Sequence, residues 1–359
     1  MNAVPSVVVA GAGVFGTAIA LRLARAGARV TLADPAGVGD NASGVAAGMV
    51  APAFEALLDP MAAGHFSLLR ASRDLWPAFV GEDGLGALGL RRCGAVWLTH
   101  ADDSPDQIET HRAGLAALGA AAEPWTAAEV AARVPGLDAG IGAGLFTSED
   151  WRLAPIRALA ALRAAAYDAG AAFVMAAVTG FEPGRAWMSD GERIAADRLV
   201  VATGANPAGL APELALLSPI KGHILRYADA RLAASGPTLR RPGGYAAGGA
   251  DGLVIGSTME PGRADRTIDP AMVQPLAALA RSLFPALADA PFTPQAAARA
   301  TSPDGGPLVG PSERVGVFIA VGARRNGWLL APLVSQIIEA HLVDGDPGPW
   351  ASALAPQRL

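Results

Sequence analysis

Gly11-Ala12-Gly13-Val14-Phe15-Gly16 narrows what this chain can become more than any other segment. The β-branched run Val7-Val8-Val9 precedes it, as expected of a strand buried on both faces. An alanine- and leucine-rich stretch follows to about Arg25, and Gly27 ends it as a helix C-terminus commonly ends. Arg29 to Asp34 then reads as a second strand. In such a β-α-β unit Gly11 permits the tight turn, Gly13 lets the backbone approach a pyrophosphate, and Gly16 lets helix and strand close. Free N–H groups at the helix start favour the anion. Asp34 lies 18 residues beyond Gly16, where a carboxylate can accept ribose hydroxyls. A chance cluster among 43 glycines would not carry strand, helix and acid in this order. The unit binds a dinucleotide; the pattern alone does not separate NAD from FAD.

Scarcities prune the chemistry. Cys93 is the only cysteine, which excludes intramolecular disulfides, CxxC redox pairs and multi-cysteine zinc sites; no metal site is expected. Lys221 is the only lysine among 28 basic residues, and Lys221-Gly222 has the wrong order for a phosphate-binding Gly-Lys loop. A net charge of −5 offers no general attraction to nucleic acid or an anionic membrane. The most apolar stretch, Val7 to Ala24, is broken by three glycines and Arg22, so no membrane span is expected. Met1 to Ser6 has no basic residue and does not read as a signal peptide, so the expected location is the cytoplasm.

At 359 residues the chain suggests two domains. Residues 41–52 read as loop, Pro60 to Phe79 as one helix carrying His65 on its amphipathic face, and residues 94–98 as a strand. Pro155 to Ala169 reads as a helix, residues 219–260 as antiparallel strands, Val317 to Val321 as a last strand, and Trp328 to Leu342 as a last helix.

Resemblance adds to this reading. Asn41-Ala42-Ser43-Gly44-Val45-Ala46-Ala47-Gly48-Met49 resembles the small-residue loop that lies along the flavin in the D-amino-acid oxidase family. Asp150-Trp151-Arg152, Val200 to Gly204, Arg299 to Gly310 and Gly322 to Pro332 are similar to further motifs of that family. Gly256 to Gly262 resembles the glycine oxidases of thiamine biosynthesis within it. The likeness covers nearly the whole chain. It implies an α/β, Rossmann-like FAD domain (1–84, 146–218 and 296–359) of the glutathione-reductase type. A second, mainly antiparallel α+β substrate domain (85–145 and 219–295) would cap the flavin. Implied cofactor contacts are Gly11, Gly13, Val14, Phe15, Gly16, Asp34, Pro35, Ala42, Ser43, Ala47, Gly48 and Met49. Val178, Thr203, Gly204, Asn326, Gly327, Trp328 and Leu329 complete the set. No cysteine falls near residues 299–310, where related sarcosine oxidases attach flavin, so the FAD is expected to be non-covalent.

An amino acid oxidase must hold its substrate's carboxylate so that the Cα–H faces the flavin. A planar arginine fork does this bidentately. By resemblance Arg299, Arg325 and Tyr245 hold the carboxylate, while Met49 and Met259 line the pocket. A general base is not needed: once the amine is neutral, its lone pair can drive hydride from Cα to the flavin, which carries the redox step. The implied reaction turns a small amino acid or N-substituted glycine into an imine, then an oxo acid and an amine, with molecular oxygen reduced to hydrogen peroxide. His65, His223 and Lys221 are read as structural.

The sequence departs from glycine oxidases at Ala323-Arg324, where a His-Phe pair is usual, and at Gly243. Both changes suggest an enlarged pocket, with Arg324 available to a second substrate carboxylate. Neighbouring residues on an extended segment face oppositely, however, so Arg324 can equally point away. The main alternative is a quinone- or dye-linked FAD dehydrogenase of the same fold. A nicotinamide dehydrogenase and a non-catalytic flavoprotein are further alternatives, and self-association is left open.

Overall fold

The computed structural model describes residues 5–81, 85–104, 106–206, 209–228, 232, 236–249, 251–343 and 345–359. Two large sheets organise it. The first has six strands in the order Leu308–Pro311, Val317–Val321, Arg198–Val201, Ser6–Ala10, Arg29–Ala33, Ala172–Val174. All neighbours run parallel except the pair Leu308–Pro311 and Val317–Val321. Ser6–Ala10 is buried at every position, which explains its unbroken apolar run.

Helices Val14–Arg25, Pro155–Asp168 and Gly327–Leu342 pack with this sheet in one core. Twelve of the 16 residues of Gly327–Leu342 are buried, so its nearly uniform hydrophobicity marks a core helix rather than an amphipathic one. The other face of the sheet carries a second core that includes Val8, Leu199, Val201, Phe181 and Leu214.

The second sheet has nine strands, and Ala95–His100 with Thr238–Arg241 is its parallel pair. Ser218–Tyr227 is its longest member and pairs with Gly252–Gly256, Glu260–Pro261 and Thr293–Thr301. Ile220 faces Arg299 in that ladder. Strand Thr293–Thr301 therefore belongs to this sheet along its whole length, although a boundary at 296 would divide it.

Local departures have local causes. The 41–52 segment is not a bare loop: Ala42–Val45 is a short helix capped by Asn41, whose Oδ1 accepts the Gly44 N–H at 3.1 Å. Met49–Val50 then pairs with Trp151–Arg152. The single helix expected over Pro60 to Phe79 is two, Pro60–Ala63 and Phe66–Gly81, broken at Gly64. His65 thus sits in the intervening turn, near the Asp304 carbonyl at 3.5 Å, rather than on an amphipathic face.

Candidate active site

A groove of about 560 Å³ runs past the C-terminal ends of the parallel strands, the usual ligand position in an open α/β sheet. Its walls include Gly11, Gly13, Val14, Phe15, Asp34, Pro35, Ala42, Ser43, Val178, Thr203, Gly204, Gly327 and Trp328, all expected cofactor contacts. The glycine logic holds in atomic detail. Gly11 has φ +103°, and a Cβ there would lie 2.4 Å from the Ala202 carbonyl oxygen. A Cβ on Gly16 would lie 1.8 Å from the Gly11 carbonyl oxygen, so Gly16 packs strand on helix and does not line the groove. Gly13, the helix N-cap, contributes no side-chain cap, and the first turn has no acid. This backbone cradle suits a pyrophosphate and fits a dinucleotide such as FAD. Asp34 is aimed into the cradle: its carboxylate accepts the Ala12 N–H at 2.6 Å and the Ala36 N–H at 2.8 Å. Gly16→Ala should overpack this contact, costing about 1–3 kcal/mol. The protein should purify with less bound flavin and a lower melting temperature, read from the visible-to-ultraviolet absorbance ratio and a thermal scan.

A smaller cavity of about 70 Å³ adjoins the groove and shares Ala42, Ala46, Ala297, Arg299, Arg325 and Trp328 with it. Its own walls add Ala47, Gly48, Met49, Gly222, Ile224, Tyr245 and Ser257. Expected cofactor neighbours Ala47, Gly48 and Met49 thus lie at the smaller cavity. Residues Tyr245, Arg299, Arg325 and Met49 come together here from four separate segments. Tyr245 is buried on strand Gly244–Gly249, and its hydroxyl bonds with Ser257. Burial pushes the Tyr245 phenol up, although Arg299, Arg325 and Arg240 pull the other way, so it remains a neutral donor. Arg299 is half-buried and donates from Nη2 to the Thr258 carbonyl at 3.0 Å. Burial lowers its pKa and Tyr245 opposes that, but a guanidinium stays charged.

Other expectations need correction. Met259 is half-buried and lines neither cavity. Leu329 lies fully in the core, and its carbonyl accepts Ser72 Oγ–H at 2.8 Å and Trp76 Nε1–H at 3.3 Å. Asn326 lines a separate small void with Met61 and His65. Arg324 has φ +50° and pairs with buried Asp59; it lines the groove and that void but not the small cavity. Gly243 occupies an exposed turn with nothing within 4 Å of an added Cβ. Neither residue enlarges the small cavity.

A buried charge network behind the cavity escaped the sequence reading. Glu55, 3% exposed on helix Pro52–Leu58, accepts Arg240 Nη2–H at 2.9 Å and Arg325 Nη2–H at 3.2 Å through Oε1. Its Oε2 lies 3.1 Å from Arg325 Nε. Burial pushes the Glu55 carboxyl up, but Arg325 and Arg240 outweigh it and hold the group below its ordinary value. Asp150 accepts the Ala53 and Phe54 N–H groups at 2.8 and 3.1 Å, fixing the start of Glu55's helix. Burial pushes Asp150 up to about 6. A lone Glu in the apolar run Ala53 to Leu58 was the available signal, since buried carboxylates need partners.

His223 and Lys221 hold structure. The Asp269 N–H donates to His223 Nε2 at 3.0 Å, so Nδ1 carries the proton and donates to Glu260 Oε1 at 2.8 Å. Lys221 is fully buried and pairs with Asp265 Oδ1 at 2.6 Å. Cys93 is not among the groove-lining residues, and burial pushes its thiol up. Among the described residues no group of acidic, histidine or cysteine side chains could hold a metal, and no helix is long and apolar enough to cross a membrane.

A parallel sheet with a glycine cradle, beside a small cavity lined by two guanidinium groups and a phenol, is the arrangement of a dinucleotide-dependent oxidoreductase. The comparisons make this specific: the FAD dependent oxidoreductase (DAO) model matches residues 6–340, and the chain belongs to that FAD-dependent family. It is similar to glycine oxidase of Pseudomonas aeruginosa, at 32% identity over 97% of this chain and 98% of that protein. It is also similar to the tRNA 5-methylaminomethyl-2-thiouridine biosynthesis bifunctional protein MnmC of Caulobacter sp., at 33% identity over 66% of this chain and 40% of that protein. Among solved structures, glycine oxidase from Geobacillus kaustophilus superimposes with a TM-score of 0.83 at 26% identity, covering 99% of each chain. The chain is an FAD-dependent oxidoreductase of glycine-oxidase type.

Proposed function

We propose that this protein oxidises the Cα–N bond of a small amino acid of glycine or sarcosine size. The observation that carries the reading is the convergence of Tyr245, Arg299, Arg325 and Met49 on one cavity sharing a wall with the dinucleotide groove. Full-length similarity to proteins named glycine oxidase supports it. The cavity, at about 70 Å³, is small, which favours a small amino acid over a bulky one. Arg324 is committed to Asp59, which removes the support for a second substrate carboxylate.

FAD, held non-covalently by the cradle, Asp34 and the 42–43 loop, supplies a two-electron acceptor when bound. The Arg299 fork and the Tyr245 hydroxyl fix the carboxylate and hence the direction of the Cα–H. Among the described residues lining the small cavity there is no carboxylate or imidazole, so the substrate amine loses its proton to water. The guanidinium groups nearby favour its neutral form. Apolar walls from Met49, Ile224 and Ala297 keep water from the reacting carbon. The imine product then takes up water to give an oxo acid and an amine, and oxygen is the proposed final acceptor, yielding hydrogen peroxide.

The test is an anaerobic screen of glycine, sarcosine and bulky N-alkyl glycines, following loss of the flavin's visible absorption. Glycine and sarcosine should bleach the protein fastest, with peroxide appearing once air is admitted. Faster bleaching by the bulky compounds would reverse the size assignment. Absence of bleaching by any amino acid would remove the reading altogether. Bleaching without peroxide in air would assign an acceptor other than oxygen.

A further inference from the structure

We infer that Arg266 and Asp40 form a clasp that retains the dinucleotide in its groove. Ala264 and Arg266 are the only described groove-lining residues contributed between residues 206 and 297. They belong to segment 262–269, which leaves the nine-stranded sheet at Glu260–Pro261 without regular structure until helix Pro270–Leu283. The segment therefore crosses from the substrate-side sheet to the nucleotide side.

Its root is tied down several times. The Gly262 N–H donates to the Pro219 carbonyl at 2.8 Å, and Asp265 meets the buried Lys221 ammonium. Arg263 bridges Asp265 at 3.0 Å and Glu260 at 3.1 Å. The Thr267 N–H donates to Asp265 at 3.0 Å, and the Asp269 N–H to His223. Arg266 alone reaches over: its guanidinium grips the Asp40 carboxylate and donates to the Asp40 carbonyl at 3.4 Å. Asp40 immediately precedes Asn41, itself a groove wall and the cap of Ala42–Val45.

A rigid root with one exposed latch at the tip is the arrangement a removable cover needs. The latch is the weak point, because both side chains are at least half exposed and salt screens such pairs. Arg266 also adds positive charge to the groove wall, favourable to a pyrophosphate.

The inference rests on the dinucleotide assignment but not on the proposed substrate, and the experiment uses no turnover. Yellow holoenzyme is diluted into flavin-free buffer, and release is followed by the recovery of flavin fluorescence. Arg266→Ala and Asp40→Asn should each speed release about two- to fivefold, the effect of losing one exposed ion pair. The double variant should be no faster than the faster single one, because both substitutions break the same contact. About 1 M salt should accelerate release from the parent and leave the variants nearly unchanged. Release at the parental rate from Asp40→Asn would overturn the clasp and leave Arg266 as a charge contact only. Additive effects in the double variant would overturn it equally. Thermal scans of the flavin-free variants matching the parent would confirm that the latch acts on release rather than on folding; a lowered melting temperature in both would overturn it.

Discussion

Arg299→Ala should lower kcat/KM for the amino acid substrate about 10²- to 10³-fold while the purified protein stays yellow. Truncating one partner of a hydrogen-bonded charge pair withdrawn from water costs about 2–5 kcal/mol. This guanidinium lies half-buried with Tyr245 in the cavity wall, where a bound carboxylate would be its partner. One edge is already spent on the Thr258 carbonyl, which fixes the plane. Gly222 gives it room, since a Cβ there would lie 1.9 Å from Nη2. The fixed plane leaves the remaining N–H groups to take a carboxylate in one orientation, so the loss should fall on kcat as well as KM. Arg299→Lys keeps the charge and loses the fork, and should recover affinity better than rate. Rapid-mixing reduction, measured against substrate concentration, separates the two. A variant within threefold of the parent would show that the carboxylate is held elsewhere, with Arg325 the next candidate.

What could be read along the chain was local. The first strand, glycine turn, first helix and second strand occupy consecutive residues, and their side chains obey rules within one turn or one pleat. Val7-Val8-Val9 and Gly11 to Gly16 therefore announced the groove without help from the rest of the fold. The gathering of Met49, Tyr245, Arg299 and Arg325 was reached only through family likeness, because no periodicity joins residues so far apart. Glu55 and Arg240 were missed for the same reason. Their meaning lies in a contact between helix Pro52–Leu58 and strand Thr238–Arg241, separated by 185 positions. Arg324 shows the limit of a face argument: its left-handed backbone turns the side chain to Asp59, away from the small cavity. Gly243 shows another, for a turn residue next to a site strand can face solvent.

Glu55→Gln tests whether the hidden network governs both stability and the posture of Arg325. The amide keeps the shape of the side chain and removes the charge that Arg240 and Arg325 share. Breaking a buried ion pair on one side costs about 3–5 kcal/mol, because the other charge stays buried without compensation. Denaturant unfolding at about pH 7 should show that loss as a lower midpoint with an unchanged slope. The pH dependence carries the stronger test. Glu55 is held below its ordinary value of 4.5, so its contribution is present above that value and is lost as pH falls through the folded value. The gap between parent and variant should therefore be full at neutral pH and shrink under acid. Asp150 has the opposite sign. Its carboxyl is raised from 3.8 to about 6, so its contribution is present below the lower value and lost as pH rises through the upper one. Asp150 is present in both proteins, and burial rather than Glu55 is the first cause of its raised value. Losing the Glu55 charge therefore alters its contribution only at second order and on the neutral side, leaving Glu55 as the main source of the acid-side convergence. A gap that stayed constant from about pH 3 to 7 would mean that Glu55 is not an ionised partner. Arg325 would then be free to meet the substrate in the resting protein.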